Sequence, residues 1–317
     1  MKGQSFDMEF SHFPVMLDEC LEGLAIKPDG IYVDGTAGGA GHSKEIAKRL
    51  TTGRLIAIDR DPEAVKVASC RLEGLNAQVV QANYSEIASV LEELHISRAD
   101  GILLDLGVSS YQLDNAERGF SYKKDAPLDM RMSGEGMSAY EVVNDYSESQ
   151  LADIIFRYGE EKYSRSIARG IVRDRELSPI KTTMQLAEVI KQNVPQKARR
   201  EKNPCKKTFQ AIRIEVNGEL EHLALALDAA FDCLNEGGRL CIITFHSLED
   251  RLVKQRFAEY CRGCECPPDF PVCVCGKTPC GRLVNRKPIT AAPGELERNN
   301  RSHSAKLRII EKIKDRG

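Results

Sequence analysis

The chain has 317 residues, 42% hydrophobic and 29% charged, which is enough to bury a sizeable core and long enough for about two domains. Its longest apolar runs, such as Ile102 to Leu104 and Leu240 to Ile243, fall far short of the roughly 20 residues that span a bilayer, and the N-terminal MKGQSFDMEFSHF lacks the apolar stretch and cleavage site of a secretory signal. A cytoplasmic protein is expected, whose eleven cysteines are thiols or metal ligands rather than disulfides; the net charge of −2 excludes a globally basic nucleic-acid binder, so polyanion affinity must come from local patches.

From residue 31, short apolar β-type runs alternate with helical stretches: IYVDGT, HSKEIAKRL, RLIAIDRD, EAVKVASCRLEGL, AQVVQANY and ADGILLDLG. Strands separated by helices of this length pair in parallel through crossovers, which predicts an α/β fold with a doubly wound, Rossmann-like sheet. A further buried strand, GRLCIITFHS, comes only after residue 238. Between them, Ser147 with Gln150 and Thr182 with Gln185 form capping boxes ahead of apolar residues at helical spacing: Leu151, Ile154, Ile155 and Tyr158, then Leu186, Val189 and Ile190. The expected organisation is a core of residues 1–114 and 216–317, an inserted helical domain over 115–215, and a Cys-rich hairpin at 261–280. RLVNRKPI and SAKLRIIEKI are expected to supply the last strands.

The segment DGTAGGAGH, residues 34–42, ends the first strand with glycines at 35, 38, 39 and 41, a loop that lets backbone approach a ligand closely. The second strand ends in Asp59, where a carboxylate can accept from the ribose hydroxyls of an adenosine-containing cofactor. A dinucleotide fingerprint starting from Gly39 and Gly41 would need glycine where Lys44 stands, and a P-loop would need lysine where His42 stands. S-adenosylmethionine, which has no phosphate, is the common ligand left. Asp105 ends the fourth strand at the edge where open α/β sheets bind ligands. The plainer alternative makes Asp34, Asp59 and Asp105 strand-end caps around a tight turn.

Seven blocks of the chain then carry a resemblance: HFPVMLDE (12–19), DGTAGGAGHS (34–43), AIDRDPEA (57–64), DGILLDLGVSSYQLDNAERGFSYKKDAPLDMRM (100–132), FQAIRIEVNGELE (209–221), ITFHSLEDRLVK (243–254) and SAKLR (304–308). Together they resemble the bacterial small-subunit ribosomal RNA cytosine-N4-methyltransferases, the RsmH or MraW family. The resemblance implies a class I methyltransferase core with an inserted helical substrate domain, acting on N4 of a cytidine in the decoding region of 16S rRNA. It implies that Ala40, Gly41, His42, Asp59, Tyr84, Asp105 and Gln112 line the S-adenosylmethionine site, with the Tyr84 ring placed to stack on adenine. The small ribosomal subunit is the implied partner. The chain departs from the family's usual NPRSRSAKLR at Asn300 and His303.

Cytosine's exocyclic amine is a poor nucleophile because its lone pair is delocalised, so acceptors for its protons must sit beside the methyl donor. Asp105, in DLGVSS, is the expected catalytic residue, able to bind cofactor, polarise the amine, or both. His246 and Ser247 are a second candidate set; His246 alternatively organises the helix that follows. Residues 197–207, KARREKNPCKK, carry six basic side chains against one acid, flanked by Lys191 and Arg213, and offer a phosphate-binding surface or a solvated helix face. Phe120 and Tyr122 can stack on an extruded base or pack a core. Cys261, Cys264, Cys266, Cys273, Cys275 and Cys280 can close a tetrahedral thiolate site for zinc or remain thiols. The rival readings are a methyltransferase for DNA or a protein amine, and a noncatalytic ribosome-assembly or RNA-binding factor that kept the fold. A nicotinamide oxidoreductase is disfavoured by Lys44.

Overall fold

The computed structural model describes residues 13–109, 112, 113, 115–201, 203–264, 266, 267, 270–272 and 274–316. Its sheet comprises β1 (Ile31–Asp34), β2 (Arg54–Asp59), β3 (Ala77–Gln81), β4 (Ala99–Asp105), β5 (Leu234–Thr244), β6 (Gly281–Leu283) and β7 (Lys306–Lys312). The strand order is β3-β2-β1-β4-β5-β7-β6, with β1 to β5 parallel and β7 antiparallel to both neighbours. The apolar runs of β4 and β5 are continuous because both faces of these central strands are covered.

Alternate side chains feed two cores. Ile102, Leu104, Leu240 and Ile242 pack with α4 (Ile87–Glu93), α11 (Glu219–Asp232) and α12 (Ser247–Tyr260), through side chains such as Leu91, Leu227 and Phe257. Leu103, Cys241 and Ile243 face the other way, onto α1 (Leu17–Leu24), α2 (Gly41–Ala47) and α3 (Pro62–Arg71). This two-sided burial is what makes the sheet doubly wound, as the strand–helix alternation predicts.

Between β4 and β5 the chain forms α5 (Ala139–Asp145), α6 (Glu148–Gly159), α7 (Ser164–Leu177), α8 (Thr183–Gln192), α9 (Gln196–Glu201) and α10 (Cys205–Asn217). Both expected capping boxes form: the Gln150 N–H donates to the Ser147 hydroxyl at 3.3 Å and the Gln185 N–H to the Thr182 hydroxyl at 3.4 Å. Leu151, Ile154, Ile155, Leu186, Val189 and Ile190 all enter a third core that shares no residue with the other two. Phe120 is buried in this third core, so it packs the helical unit and does not offer its face to an extruded base. Tyr122 meets Phe209 edge-on, with ring centroids 5.3 Å apart.

Asn217 ties the loop after β4 to the end of α10. Its side-chain amide donates to the Met130 carbonyl at 2.8 Å and to the Arg213 carbonyl at 2.9 Å, while its carbonyl oxygen accepts from the Met132 N–H at 2.8 Å. A buried amide with all these partners fixes how the helical unit meets the sheet's carboxyl edge. The sheet finishes through α13 (Pro293–Arg298) and a 3-10 turn at Asn300–Ser304 before β7. No helix among the described residues is long and apolar enough to cross a membrane.

Candidate active site

The sheet's order reverses between β1 and β4, and at the carboxyl ends of these strands lies a cavity of about 420 Å³. That size suits a cofactor-sized ligand. Its floor is the loop after β1. Gly38 takes φ +50°, a left-handed conformation, which aims its N–H at Asp59 Oδ2, 2.7 Å away. Ala40 is also left-handed, at φ 58°, and starts α2. At Gly41 a Cβ would lie 2.7 Å from Pro14 Cγ, so only glycine lets the 13–15 segment close over the loop.

The three strand-end acids differ in how the protein uses them. Asp34 is a strand-end cap: it accepts from the Thr36 N–H at 3.1 Å and from the Ser43 hydroxyl at 2.6 Å, and it is fully buried. Asp59 accepts one backbone N–H on each oxygen, from Gly38 and, at 2.9 Å, from Asp61. Each oxygen keeps a lone-pair direction for a ligand. Asp105 is the least satisfied: its Oδ1 is buried and has no hydrogen-bond partner among the described residues, while Oδ2 lies 3.7 Å from His42 Nδ1. Burial pushes both Asp59 and Asp105 up to about 6; the N–H groups of Asp61 and Gly38 oppose this at Asp59, and His42 opposes it at Asp105.

His42 is buried at the start of α2, with Nε2 2.9 Å from the Val15 carbonyl. A carbonyl can only accept, so Nε2 carries the proton and Nδ1 faces Asp105. Tyr84 opens the turn after β3; its ring lines the cavity, its hydroxyl donates to the Glu219 carbonyl at 3.4 Å, and burial raises its pKa, keeping the phenol neutral. Gln112 is buried on the cavity wall, donating to Asp61 Oδ2 at 2.9 Å and accepting from the Ser109 N–H at 3.0 Å. The structure therefore gathers Ala40, Gly41, His42, Asp59, Tyr84, Asp105 and Gln112 around one cavity, Ala40 from its floor turn and the other six on its lining.

The β5 edge has a different character. His246 is the N-cap of α12: its Nδ1 accepts from the Glu249 N–H at 3.4 Å, and the Glu249 carboxylate accepts from the N–H groups of Phe245 at 2.8 Å and His246 at 3.3 Å. His246 Nε2 lies 3.1 Å from Glu249 Oε1 but makes no hydrogen bond there. Glu249 is buried, which works against its charge, yet His246, Arg213 and the Phe245 N–H hold its carboxyl below the usual range. The Ser247 hydroxyl is taken by Glu160 Oε2 at 2.5 Å. His246 thus has the helix-organising position, and Ser247 ties α12 to α6.

Arg213 corrects the expected phosphate surface. Its guanidinium grips the Glu219 carboxylate through two bonds, at 2.7 and 2.8 Å, on the cavity wall rather than the exterior. Sequence reasoning missed the pair because residues six apart in one helix point about 120° apart. Gly218, left-handed at φ +57°, breaks the helix there and turns α11 back so that they meet. Elsewhere in the basic stretch, Lys206 lines the cavity and Lys207 donates to the Glu160 carbonyl at 2.6 Å; Lys202 lies outside the described residues. Asn299, Arg301 and Ser304 also line the cavity, whereas Asn300 and His303 are exposed and do not. Among the cysteines, Cys264, Cys266 and Cys275 converge, Cys280 is buried against the Tyr260 carbonyl, and Cys273 lies outside the described residues.

The sequence profile of the MraW methylase family matches residues 9–313. The ribosomal RNA small subunit methyltransferase H of Clostridium botulinum (strain Kyoto / Type A2) is 56% identical over 309 residues, covering 96% of this chain and 100% of that protein. The protein of the same name from Lachnospira eligens is 54% identical over 313 residues, covering 97% and 99%. Ribosomal RNA small subunit methyltransferase H 2 of Agathobacter rectalis is 55% identical over 311 residues, covering 96% and 99%.

Proposed function

The chain belongs to the MraW methylase family, and from that membership we propose that it transfers the methyl group of S-adenosylmethionine to the N4 amine of a cytidine in the decoding region of 16S rRNA. The observation that carries the catalytic part of this reading is Asp105, a half-buried carboxylate that borders the cavity and whose buried Oδ1 has no hydrogen-bond partner among the described residues. An unmet buried acceptor is costly unless a ligand supplies what it lacks. The donor set also fits the cofactor: two carboxylates, an aromatic ring and a loop of close-approaching backbone that carries His42 where a P-loop carries its lysine.

S-adenosylmethionine supplies an electrophilic methyl group on a sulfonium. Around it the chain's residues divide the work. Asp59, at the end of β2, accepts from the ribose hydroxyls on the lone pairs its two backbone bonds leave. Tyr84 offers its ring to the adenine, held in place by the hydroxyl bond to Glu219. Ala40 and Gly41 bring backbone to the cofactor, and Gln112, locked by Asp61 and Ser109, shapes the wall.

Asp105 carries the chemistry. Its carboxylate accepts a hydrogen bond from the incoming amine, which favours the pyramidal nitrogen with an available lone pair, stabilises the positive charge dispersed in transfer, and takes the proton that the methylated nitrogen then releases. His42, anchored through Nε2 to the Val15 carbonyl, lies 3.7 Å from Asp105 Oδ2 and opposes the rise that burial imposes on that carboxyl's pKa. The target base enters between the α10 wall, with Lys206 and Gln210, and the rim at Asn299 and Arg301. A base inside a duplex cannot reach this depth, so the cytidine must be extruded. The helical unit, residues 115–215, is the surface that meets the RNA, and its lysines position the backbone rather than choose the base.

The test is incubation of the protein and labelled S-adenosylmethionine with small ribosomal subunits from cells lacking the gene, followed by nucleoside analysis. Label in N4-methylcytidine is expected. Label in another base, or only in ribosomal protein, overturns the assignment. Running free 16S rRNA beside assembled subunits identifies which one is the substrate.

A further inference from the structure

The segment after α12 leaves the core and returns to it at Cys280, whose N–H donates to the Tyr260 carbonyl at 2.9 Å and whose carbonyl accepts from the Ile313 N–H at 2.8 Å. Among the described residues of this excursion the large apolar side chains are not buried: Phe270 is 53% exposed, Val272 70% and Val274 76%. A segment of this size whose described residues form no apolar core of their own needs a cross-link to hold a fixed shape.

Three sulfurs meet in that position. The Sγ atoms of Cys264, Cys266 and Cys275 all lie within 4.8 Å of one another, although Cys275 is eleven residues from Cys264. The Cys264 and Cys275 sulfurs are 3.7 Å apart, far beyond the roughly 2.05 Å of a disulfide. For zinc bound tetrahedrally at about 2.3 Å per thiolate, two sulfurs sit about 3.8 Å apart. The backbone prepares the sulfurs for charge as well. The Cys266 N–H donates to Cys264 Sγ at 3.3 Å and the Val274 N–H donates to Cys266 Sγ at 3.4 Å. Such N–H···S bonds stabilise thiolates and orient them as outer partners do around bound metals.

The cysteines at the base of the excursion behave differently. Cys280 is buried and its Sγ–H donates to the Tyr260 carbonyl at 3.4 Å, a protonated thiol in a packed environment. The cluster thus divides into a neutral thiol at the root and a convergent trio beyond it.

We propose that Cys264, Cys266 and Cys275 form a thiolate site for a divalent zinc ion that cross-links the hairpin, with the fourth corner of the tetrahedron supplied from outside the trio. Binding forms three Zn–S bonds and releases the three thiol protons to solvent, so affinity falls as the pH is lowered. The ion lies outside the methyl-transfer cavity, whose lining contains none of these cysteines, and its role is to fix the tip of the hairpin. This holds whether or not the cytidine assignment does.

The full-length reduced protein is reconstituted separately with zinc and with cobalt, and neither readout uses methyl transfer. About one zinc per chain is expected, along with the intense visible absorption of tetrahedral cobalt thiolate. The C264S/C266S/C275S variant should hold less than about a tenth of that zinc and lose the cobalt bands, while Cys70→Ser, at an exposed cysteine on α3, should change neither. Wild-type protein that binds less than about 0.2 zinc after reconstitution, a weak octahedral cobalt spectrum, or a triple variant that keeps its zinc would each overturn the site. Should the triple variant fail to fold, the wild-type cobalt spectrum decides alone.

Discussion

The two edges of the cavity are built from the same residue types and put to opposite uses. On the β2–β4 edge the carboxylates of Asp59 and Asp105 keep open acceptor positions, and Asp105 Oδ1 has no hydrogen-bond partner among the described residues. On the β5 edge the carboxylates are consumed internally, Glu219 by the Arg213 fork and Glu249 by two backbone N–H groups. The charge of the first edge is left for a ligand, and the charge of the second holds α10, α11 and α12 together. A buried acid marks a ligand site when its partners are missing, not merely because it is buried.

The largest effect should come from Asp105→Asn. It keeps shape and removes charge, so turnover of the methyl transfer should fall by about 10²–10³-fold with the melting temperature unchanged or raised. Activity within threefold of wild type would break the contrast between the edges.

Glu219→Gln should do the reverse. It leaves the Arg213 guanidinium half-buried without its counter-charge, and the folded state should lose about 3 kcal/mol in urea titration. A variant as stable as wild type would mean that this edge is not the structural one.

The pH dependence sharpens the comparison further. Asp59 and Asp105 sit at about 6 rather than 3.8, so the folded chain holds protons there that the unfolded chain has already released. Their ionisation therefore costs stability as the pH rises from about 4 to 6. Cofactor binding and turnover need the ionised forms and should fall on the acid side of about 6, roughly tenfold per pH unit for each group required. A rate profile flat down to pH 5 would remove both carboxylates from the chemistry.

The smallest effect is expected for His246→Ala. Losing an N-cap costs about 1 kcal/mol, and turnover should stay within a few-fold of wild type once the protein is folded. A loss of turnover comparable to that of Asp105→Asn, at unchanged stability, would move the general base to the β5 edge.

Much of the architecture was written locally. Strands β1 to β5 show as short β-branched and apolar runs ending in acids or turns, and the capping boxes at Ser147 and Thr182 show because a hydroxyl and a glutamine three residues apart satisfy each other's backbone. The His246–Glu249 box was less legible, since histidine is an uncommon N-cap. The basic stretch at 197–207 looked like one surface because charge is counted along the chain, whereas the fold sends Lys206 to the cavity and Lys207 to a helix end.

The sequence by itself determined the glycine loop, the acids at the strand ends and the family of the chain, because turn geometry, strand periodicity and long motif blocks are carried by neighbouring residues. Only the tertiary structure decided which acid is a cap and which is open, that Arg213 belongs to Glu219, that Phe120 is core, and that three of the clustered cysteines converge. These depend on pairs distant along the chain or turned by a single left-handed residue. Whether a buried polar group is satisfied is a property of everything packed around it.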